Sequence, residues 1–584
     1  MKKSREISAK FNSRCQNCGG PITRGETILW TQGQKGAKHI NCREGNGPKS
    51  FIKKKPENKE KVEISNINPS YYQQNVFDSI MNKNDKNNLI IEAVAGSGKT
   101  WTITQAVYRL LLSEEYKGQT ALILAFNRHI TKELEPKFPN DQVLVKTSNG
   151  FGLSLLLKAW KYNYPRPRMN ARKTWKIFTE KCYDFKNMDS EEKSHINKMF
   201  WSLNQIISLA KGHGIKNEKE LIKEWRDLAN KFGIDLPKEE KYPEFESVLT
   251  QAYGISIRDK SMIDYDDMLL FPVLYQDEME FPTYPFVFVD EAQDLNPIQI
   301  EMLKILNKKG SRIICVGDTH QAIYGFRGAD PNSMKNIKTS LNCIEKPLSI
   351  NYRCPKTVIE LAKEIVPHIK AHKGAPQGEI IKDVLENLYT IAKEEDYILC
   401  RTMAPLVRSC MQFISLGEKA TVLGRSIGEE LANLVDKIAN GKGDNCSIED
   451  FICLVEDWES EEYKKINKNK TYNKESKMIM IKDKVDTLKA LSKGNKIVKN
   501  IYGRINAIFT DTKKKGITLS TIHRCKGLEN DRIIIIYPHL LPHPMAKQPW
   551  EQDQEKNLEY VAITRAKKTL IFLEGEHKKE EDCD

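Results

Sequence analysis

Leu89-Ile-Ile-Glu-Ala-Val-Ala-Gly96-Ser97-Gly98-Lys99-Thr100 decides the fold. Its apolar start predicts a buried strand and its glycines a tight turn, and Ile103, Val107, Leu110 and Leu111 then recur at helical spacing. A strand, a glycine turn and a helix N-terminus make an anion cradle, because backbone N–H groups curl round a phosphate where the helix dipole favours negative charge. Gly96, Ser97 and Gly98 would line the phosphates of a nucleotide, Lys99 would reach the β and γ phosphates, and the Thr100 hydroxyl would ligate Mg2+. The strict pattern wants glycine at position 93, which is Ala93.

A second element answers that cradle. Phe286-Val-Phe-Val-Asp290-Glu291-Ala-Gln-Asp294 is an apolar strand that ends in adjacent carboxylates. Asp290 is placed to share the metal with Thr100, and Glu291 to orient or deprotonate an attacking water. Further strand-sized runs at 121–125, 312–316, 397–400, 420–423, 517–521, 532–537 and 569–573 alternate with amphipathic stretches. That rhythm predicts an α/β fold with parallel sheets covered on both faces. Residues 153–262 and 427–505 are charged, helical in pattern and nearly strand-free, so they read as insertions. The expected division is 66–152 with 263–340 for one α/β domain, and 341–426 with 506–584 for the other.

The whole chain has 584 residues, 40% hydrophobic and 29% charged, which excludes fibrous and wholly disordered classes. Its apolar runs stay short and Met1-Lys-Lys-Ser-Arg lacks a signal peptide's apolar stretch, so a cytoplasmic protein with no membrane association is expected. For a viral protein that would be the host cytoplasm. Net charge of +14 suits an anionic partner such as nucleic acid, or equally a lysine-rich solvated surface. Most of the 13 cysteines stand singly in apolar contexts, as reduced buried thiols do.

Cys15-x2-Cys18 and His39-x2-Cys42 differ from that pattern. Two tight pairs of soft donors can close a tetrahedral site, so residues 1–45 read as a module built on one structural Zn2+, joined by a flexible linker at 46–65. Incidental thiols beside a histidine are the plain alternative. A basic stretch, Lys158 to Lys176, carries seven basic residues, four aromatics and no acid. It suits either a nucleic-acid path or core tryptophans with a solvated basic face.

Asp290-Glu-Ala-Gln-Asp294, Val316-Gly-Asp-Thr-His-Gln-Ala-Ile-Tyr-Gly-Phe-Arg-Gly-Ala329, Asn351-Tyr-Arg353, Thr521-Ile-His-Arg-Cys-Lys-Gly-Leu-Glu529 and Tyr560-Val-Ala-Ile-Thr-Arg-Ala566 occur in that order. Together they resemble the motifs of the UvrD/Rep/PcrA family of superfamily I helicases, over roughly residues 66 to 575. The resemblance implies two RecA-like motor domains with ATP between them and single-stranded DNA across their top. It also implies ATP-driven 3′ to 5′ translocation that unwinds tailed duplexes in replication, repair or recombination. A DNA-stimulated ATPase that remodels protein–DNA complexes, or an RNA-directed helicase, stays open beside it.

Carried over by motif, Gln73 would read the adenine edge, Tyr352 would stack on the ring and Glu529 would hold the ribose. Gln321 would contact the γ-phosphate, with Arg353 and Arg565 as arginine fingers. Phe126, Tyr324 and Phe326 would stack on bases, and Asn127, Thr147, Thr521 and His523 would lie along the strand. Several positions depart from the family: Trp101 replaces an arginine that touches the nucleotide, Asn149 a histidine, and Asn557 an arginine. The second insertion is short, and with the N-terminal Cys/His module this makes the chain similar to virus- or phage-encoded relatives. With nineteen residues after Arg565, no nuclease domain of the kind some relatives carry is expected. A monomer or weak oligomer is expected, with a protein partner possible at the N-terminal module.

Overall fold

The continuous apolar runs pair side by side as parallel strands. In the computed structural model the described residues are 67–575, apart from 117, 140, 161–166, 324–329, 331, 440–445, 469–473, 512–514, 545 and 547–548, plus five short strands before residue 40. One six-stranded sheet has the order Ile344–Leu348, Leu89–Ala93, Arg312–Gly317, Phe286–Val289, Ala121–Ala125, Val143–Thr147. Alternate side chains feed two cores. Ile91, Phe288 and Ile314 pack with Ile103 and Val107 of the helix Lys99–Leu112, while Leu122, Val287 and Cys315 pack on the opposite face. Strand Ile344–Leu348 pairs with Leu89–Ala93 and so carries this first sheet past residue 340.

A seven-stranded parallel sheet forms the second lobe, ordered Glu379–Val384, Ala566–Glu574, Asn530–Ile536, Tyr397–Cys400, Ile517–Thr521, Ala420–Leu423, Phe509–Thr510. Helices Arg425–Ala439, Ile448–Lys468, Lys474–Ser492 and Lys499–Ile508 make up the second insertion and share the core on one face. The other face joins Val358, Ile359 and Val561 to Val94, Ala95 and Ile323 of the first lobe. The two lobes thus meet through an apolar seam at the glycine loop.

The first insertion is helical over Ser190–His213, Glu218–Lys231 and Tyr242–Arg258. It is pinned by buried charge: Lys173 Nζ lies 2.7 Å from Asp267 Oδ2, and Lys211 Nζ lies 2.6 Å from Asp264 Oδ2 and 2.8 Å from Asp267 Oδ1. The basic stretch therefore corrects one reading. Trp160 is buried against Phe271 at 5.8 Å, Trp175 packs on Phe200 at 4.7 Å, and Lys173 is spent in the ion network. These tryptophans are core, because bulky apolar rings gain more from burial than from a wet groove. Tyr162 and Tyr164 lie outside the described residues.

The N-terminal unit, Met1–Lys61, is separate. Its described strands Ser4–Ser8, Thr27–Thr31 and Ala37–His39 form an antiparallel sheet, and Ser13–Arg14 pairs with Pro21–Ile22. His39 stands opposite Ile28. Cys15, Cys18, Cys42 and the 46–65 segment lie outside the described residues. No described helix is long and apolar enough to cross a membrane.

Candidate active site

After Leu89–Ala93 the chain turns through Gly96 (φ 63°) and Gly98 (φ 79°) into the helix Lys99–Leu112. Left-handed φ at both positions requires glycine. Gly98 is the N-cap and offers no side chain, so the first-turn N–H groups face an anion site. Ser97 Oγ is buried with no hydrogen-bond partner among the described residues, an orphan that a phosphate oxygen would satisfy.

Opposite the loop, Phe286–Val289 delivers Asp290 and Glu291. Thr100 Oγ1 donates to Asp290 Oδ2 at 3.4 Å, and Lys99 Nζ lies 3.7 Å from Glu291 Oε1. Glu291 takes a left-handed φ of 53°, a strain on the order of 1 kcal/mol that directs its carboxylate to Lys99. Burial, reinforced by Glu291, raises the Asp290 carboxyl well above its usual range. Burial alone would raise Glu291 too, but Lys99 and then Lys526 hold it well below. One buried carboxyl and one hydroxyl are hard oxygen donors of the kind Mg2+ prefers, so Asp290 and Thr100 fit that ion. Gln293 donates to Glu291 Oε2 and accepts from the Asp318 N–H, and Gln321 Nε2 donates to Asp318 Oδ2 at 2.6 Å.

The second lobe closes on this loop through main-chain contacts. Ala95 N–H donates to the Tyr560 hydroxyl at 2.8 Å, Asn351 Nδ2 donates to Ala95 O at 2.6 Å, and Tyr352 N–H donates to Gly96 O at 2.8 Å. Arg353 Nε lies 2.5 Å from Glu529 Oε2, and Lys567 holds the other oxygen at 2.6 Å. Burial would raise Glu529, but those two cations hold it below its ordinary range. Arg565 is buried; its guanidinium donates to Val561 O, Leu528 O and Thr564 Oγ1, and its charge contributes to lowering Glu291.

Around the base position, Tyr352 is 42% exposed, with its hydroxyl 3.3 Å from Gln73 Oε1 and its ring 5.1 Å from His372. Gln73 also completes a capping box with Ser70. Trp101 packs against Phe77 at 6.2 Å, beside Gly98 and Gln73.

The residues expected along a nucleic acid share the carboxyl edge of their sheets, where ligands of open α/β sheets bind. Phe126, 37% exposed, follows Ala121–Ala125. Asn127 Oδ1 accepts from Ile130 N–H at 3.0 Å, and Thr147 Oγ1 caps the helix Ser148–Ala159 by accepting from Gly150 N–H. Thr521 ends Ile517–Thr521, and His523 follows on a short helix. Tyr324 and Phe326 lie outside the described residues.

Two contributors carried no role in the sequence reading, Lys526 inside a motif and Asn557 noted only as a departure from the family. Lys526 Nζ contacts Asp294 and Gln321 O, and Asn557 Nδ2 donates to Ala322 O at 3.1 Å, both bridging the lobes. Motif membership and that departure were their only signals; the partners are distant in sequence.

Residues 75–342 fit the UvrD/REP helicase N-terminal domain and residues 423–574 the UvrD-like helicase C-terminal domain. The chain is 24% identical over 59% of its length to the ATP-dependent DNA helicase srs2 of Schizosaccharomyces pombe, covering 41% of that protein. It is 26% identical over 52% of its length to a probable DNA helicase II homolog of Mycoplasma capricolum, covering 42%, and 25% identical over 50% to the ATP-dependent DNA helicase PcrA of Staphylococcus aureus, covering 39%. It thus spans about two fifths of the length of these curated relatives. With both domain models placed in order on the two lobes, the chain belongs to the UvrD-like helicase family.

Proposed function

We propose that the chain is an ATP-dependent helicase that translocates 3′ to 5′ on single-stranded DNA and unwinds tailed duplexes in replication, repair or recombination. The observation that carries this reading is the direct bonding of the phosphate loop to the second lobe, through Ala95 to Tyr560 and Asn351 to Ala95. A nucleotide in that loop would set how the lobes sit. Lys99 would neutralise the β and γ phosphates, and Glu291 would orient the attacking water. Thr100 and Asp290 would hold Mg2+, which when bound offsets phosphate charge. Gln321 would sense the γ-phosphate, Arg353 and Arg565 would stabilise the transferring group once released from their present partners, and Glu529 would turn to the ribose. Gln73, Tyr352 and Trp101 would hold the base. Phe126, Tyr324 and Phe326 would stack the strand's bases, with Asn127, Thr147, Thr521 and His523 alongside.

Duplexes with 3′ or 5′ tails, in DNA and RNA forms, test this reading. ATP-dependent separation of 3′-tailed DNA is expected. Separation from 5′ tails alone would reverse the polarity, and hydrolysis without separation would favour a remodelling ATPase.

For the N-terminal unit we infer one structural zinc on Cys15, Cys18, His39 and Cys42, and a protein or nucleic-acid partner. Three thiolates and an imidazole are a donor set that suits zinc, and fewer than fifty residues cannot bury a sufficient core alone. Elemental analysis should find one zinc per chain, lost in Cys15→Ser/Cys18→Ser; its absence from the unaltered protein would refute the site. A cytoplasmic monomer or weak oligomer completes the proposal, and the short second insertion with the N-terminal Cys/His module supports virus- or phage-type ancestry.

A further inference from the structure

Lys146 stands on the edge strand Val143–Thr147, opposite Leu124 and one residue before Thr147, which pairs with Ala125 at the entrance to Phe126. By strand alternation its side chain shares the face of Leu144, which packs on the core under the first insertion. Lys146 is half-buried, yet among the described residues no carboxylate, carbonyl or aromatic face receives its ammonium. Other buried lysines differ. Lys173 and Lys211 meet Asp267 and Asp264, and Lys526 meets Asp294. Burial lowers the pKa of both Lys173 and Lys146, but only for Lys173 do neighbouring carboxylates oppose the shift.

A partly desolvated ammonium without an anion is unfavourable, and an anion arriving from outside would relieve that cost. The next residues narrow the ligand. Asn149 donates Nδ2 to Tyr265 O at 2.8 Å, so one of its amide N–H groups is committed within the chain. Thr147 Oγ1 accepts from Gly150 N–H, which leaves its hydroxyl proton for an acceptor. Lys146 pairs with Leu124, two residues before the exposed Phe126, and Thr147 ends the same strand opposite Ala125, so an ammonium and a hydroxyl donor lie at the strand end next to the one that Phe126 follows. A phosphate beside a stacking platform is the repeating unit of a single-stranded nucleic acid.

We propose that Lys146 binds a backbone phosphodiester of the single strand whose bases stack on Phe126. This rests on the helicase reading and adds to it a contact made by this chain's own residue. The test measures binding of the full chain to single-stranded oligonucleotides between about 50 and 300 mM salt. Lys146→Met should weaken binding about fivefold at low salt and reduce the slope of log K against log salt by about 0.7, one phosphate contact on a single strand. Lys146→Arg should retain both, and DNA-free ATP hydrolysis should be unchanged in either variant. Unaltered slope and affinity in Lys146→Met would overturn the proposal, as would a loss confined to one base composition, because a phosphate contact carries no sequence information. If the unaltered chain binds no single strand, the helicase reading itself falls, a failure distinct from an unchanged slope.

Discussion

Lys526 Nζ lies 2.5 Å from Asp294 Oδ2, tying the Thr521–Glu529 segment of the second lobe to the strand end that carries Asp290 and Glu291. The same ammonium donates to Gln321 O at 2.7 Å, and both paired side chains are buried. Burial pushes the Asp294 carboxyl up to about 6, with Lys526 opposing that rise. One cation therefore touches both the segment that follows the carboxylate strand and Gln321, the residue we propose to sense the γ-phosphate, so movement of the second lobe would be felt at the proposed hydrolytic centre.

Breaking that pair should uncouple the lobes. Removing one partner of a buried ion pair costs about 3–5 kcal/mol, much of it from the charge left alone. Lys526→Met should lower DNA-stimulated ATPase at least tenfold while changing unstimulated turnover little. Adding Asp294→Asn should recover part of the loss, since no lone charge then remains. Equal loss of both rates, unrelieved in the double variant, would reduce the pair to a folding contact.

Lys99→Ala and Glu291→Gln test the hydrolytic assignment. Lys99 and Glu291 face each other at 3.7 Å in the cleft. Each substitution should cut turnover by about 10³ or more, in line with a lost phosphate or water-orienting contact, and leave single-strand affinity within about twofold. Full ATPase activity in either variant would remove these residues from the reaction.

The central strands were legible from sequence because they are buried on both faces and read as unbroken apolar runs. Within the two large sheets, the four strands missing from that reading are the sheet edges: Val143–Thr147, Ile344–Leu348, Glu379–Val384 and Phe509–Thr510. Three carry lysine or glutamate between their apolar residues, as in Ile344-Glu-Lys-Pro-Leu348 and Glu379-Ile-Ile-Lys-Asp-Val384. Edge strands use such charges to discourage further pairing, which erases the apolar signature. The fourth has only two residues. In the site, phosphate-loop and carboxylate residues were legible because their chemistry is local. Lys526 with Asp294 and Asn557 with Ala322 were not, since only the fold brings such distant positions together.

Gly96 tests how closely the lobes must approach. A Cβ there would lie 2.7 Å from Asn351 Nδ2 and 2.8 Å from Arg353 Cβ, on a φ of 63° that disfavours any side chain. Gly96→Ala should therefore push the second lobe off the loop and reduce ATP turnover at least tenfold, with a smaller effect on single-strand binding. Gly118 has φ 80° but nothing within 4 Å of a built Cβ, so Gly118→Ala controls for backbone strain alone. Equal activity of the two variants would mean that the lobe contact at Gly96 is dispensable.

Asp266 makes the stability of the first lobe depend on pH. Asp266 accepts from Ser208 Oγ at 2.7 Å beside the Lys211 network. Burial first, then the like charge of Asp264, pushes its carboxyl up to about 6, against the Ser208 hydrogen bond and Lys211. An unfolded aspartate titrates near 3.9. Between those values the folded chain keeps a proton that the unfolded chain has released, so this carboxyl's contribution to stability is present at low pH and is lost as pH rises through about 6. Asparagine keeps the acceptor for Ser208 and does not titrate. Relative to the unaltered protein, Asp266→Asn should therefore gain about 2 kcal/mol between pH 4.5 and pH 7.5. Urea unfolding of the nucleotide-free protein, followed in the transition that includes the first insertion, measures it. A variant that loses relative stability over that range would show Asp266 to be held as a favourable carboxylate, the opposite of what its burial beside Asp264 dictates.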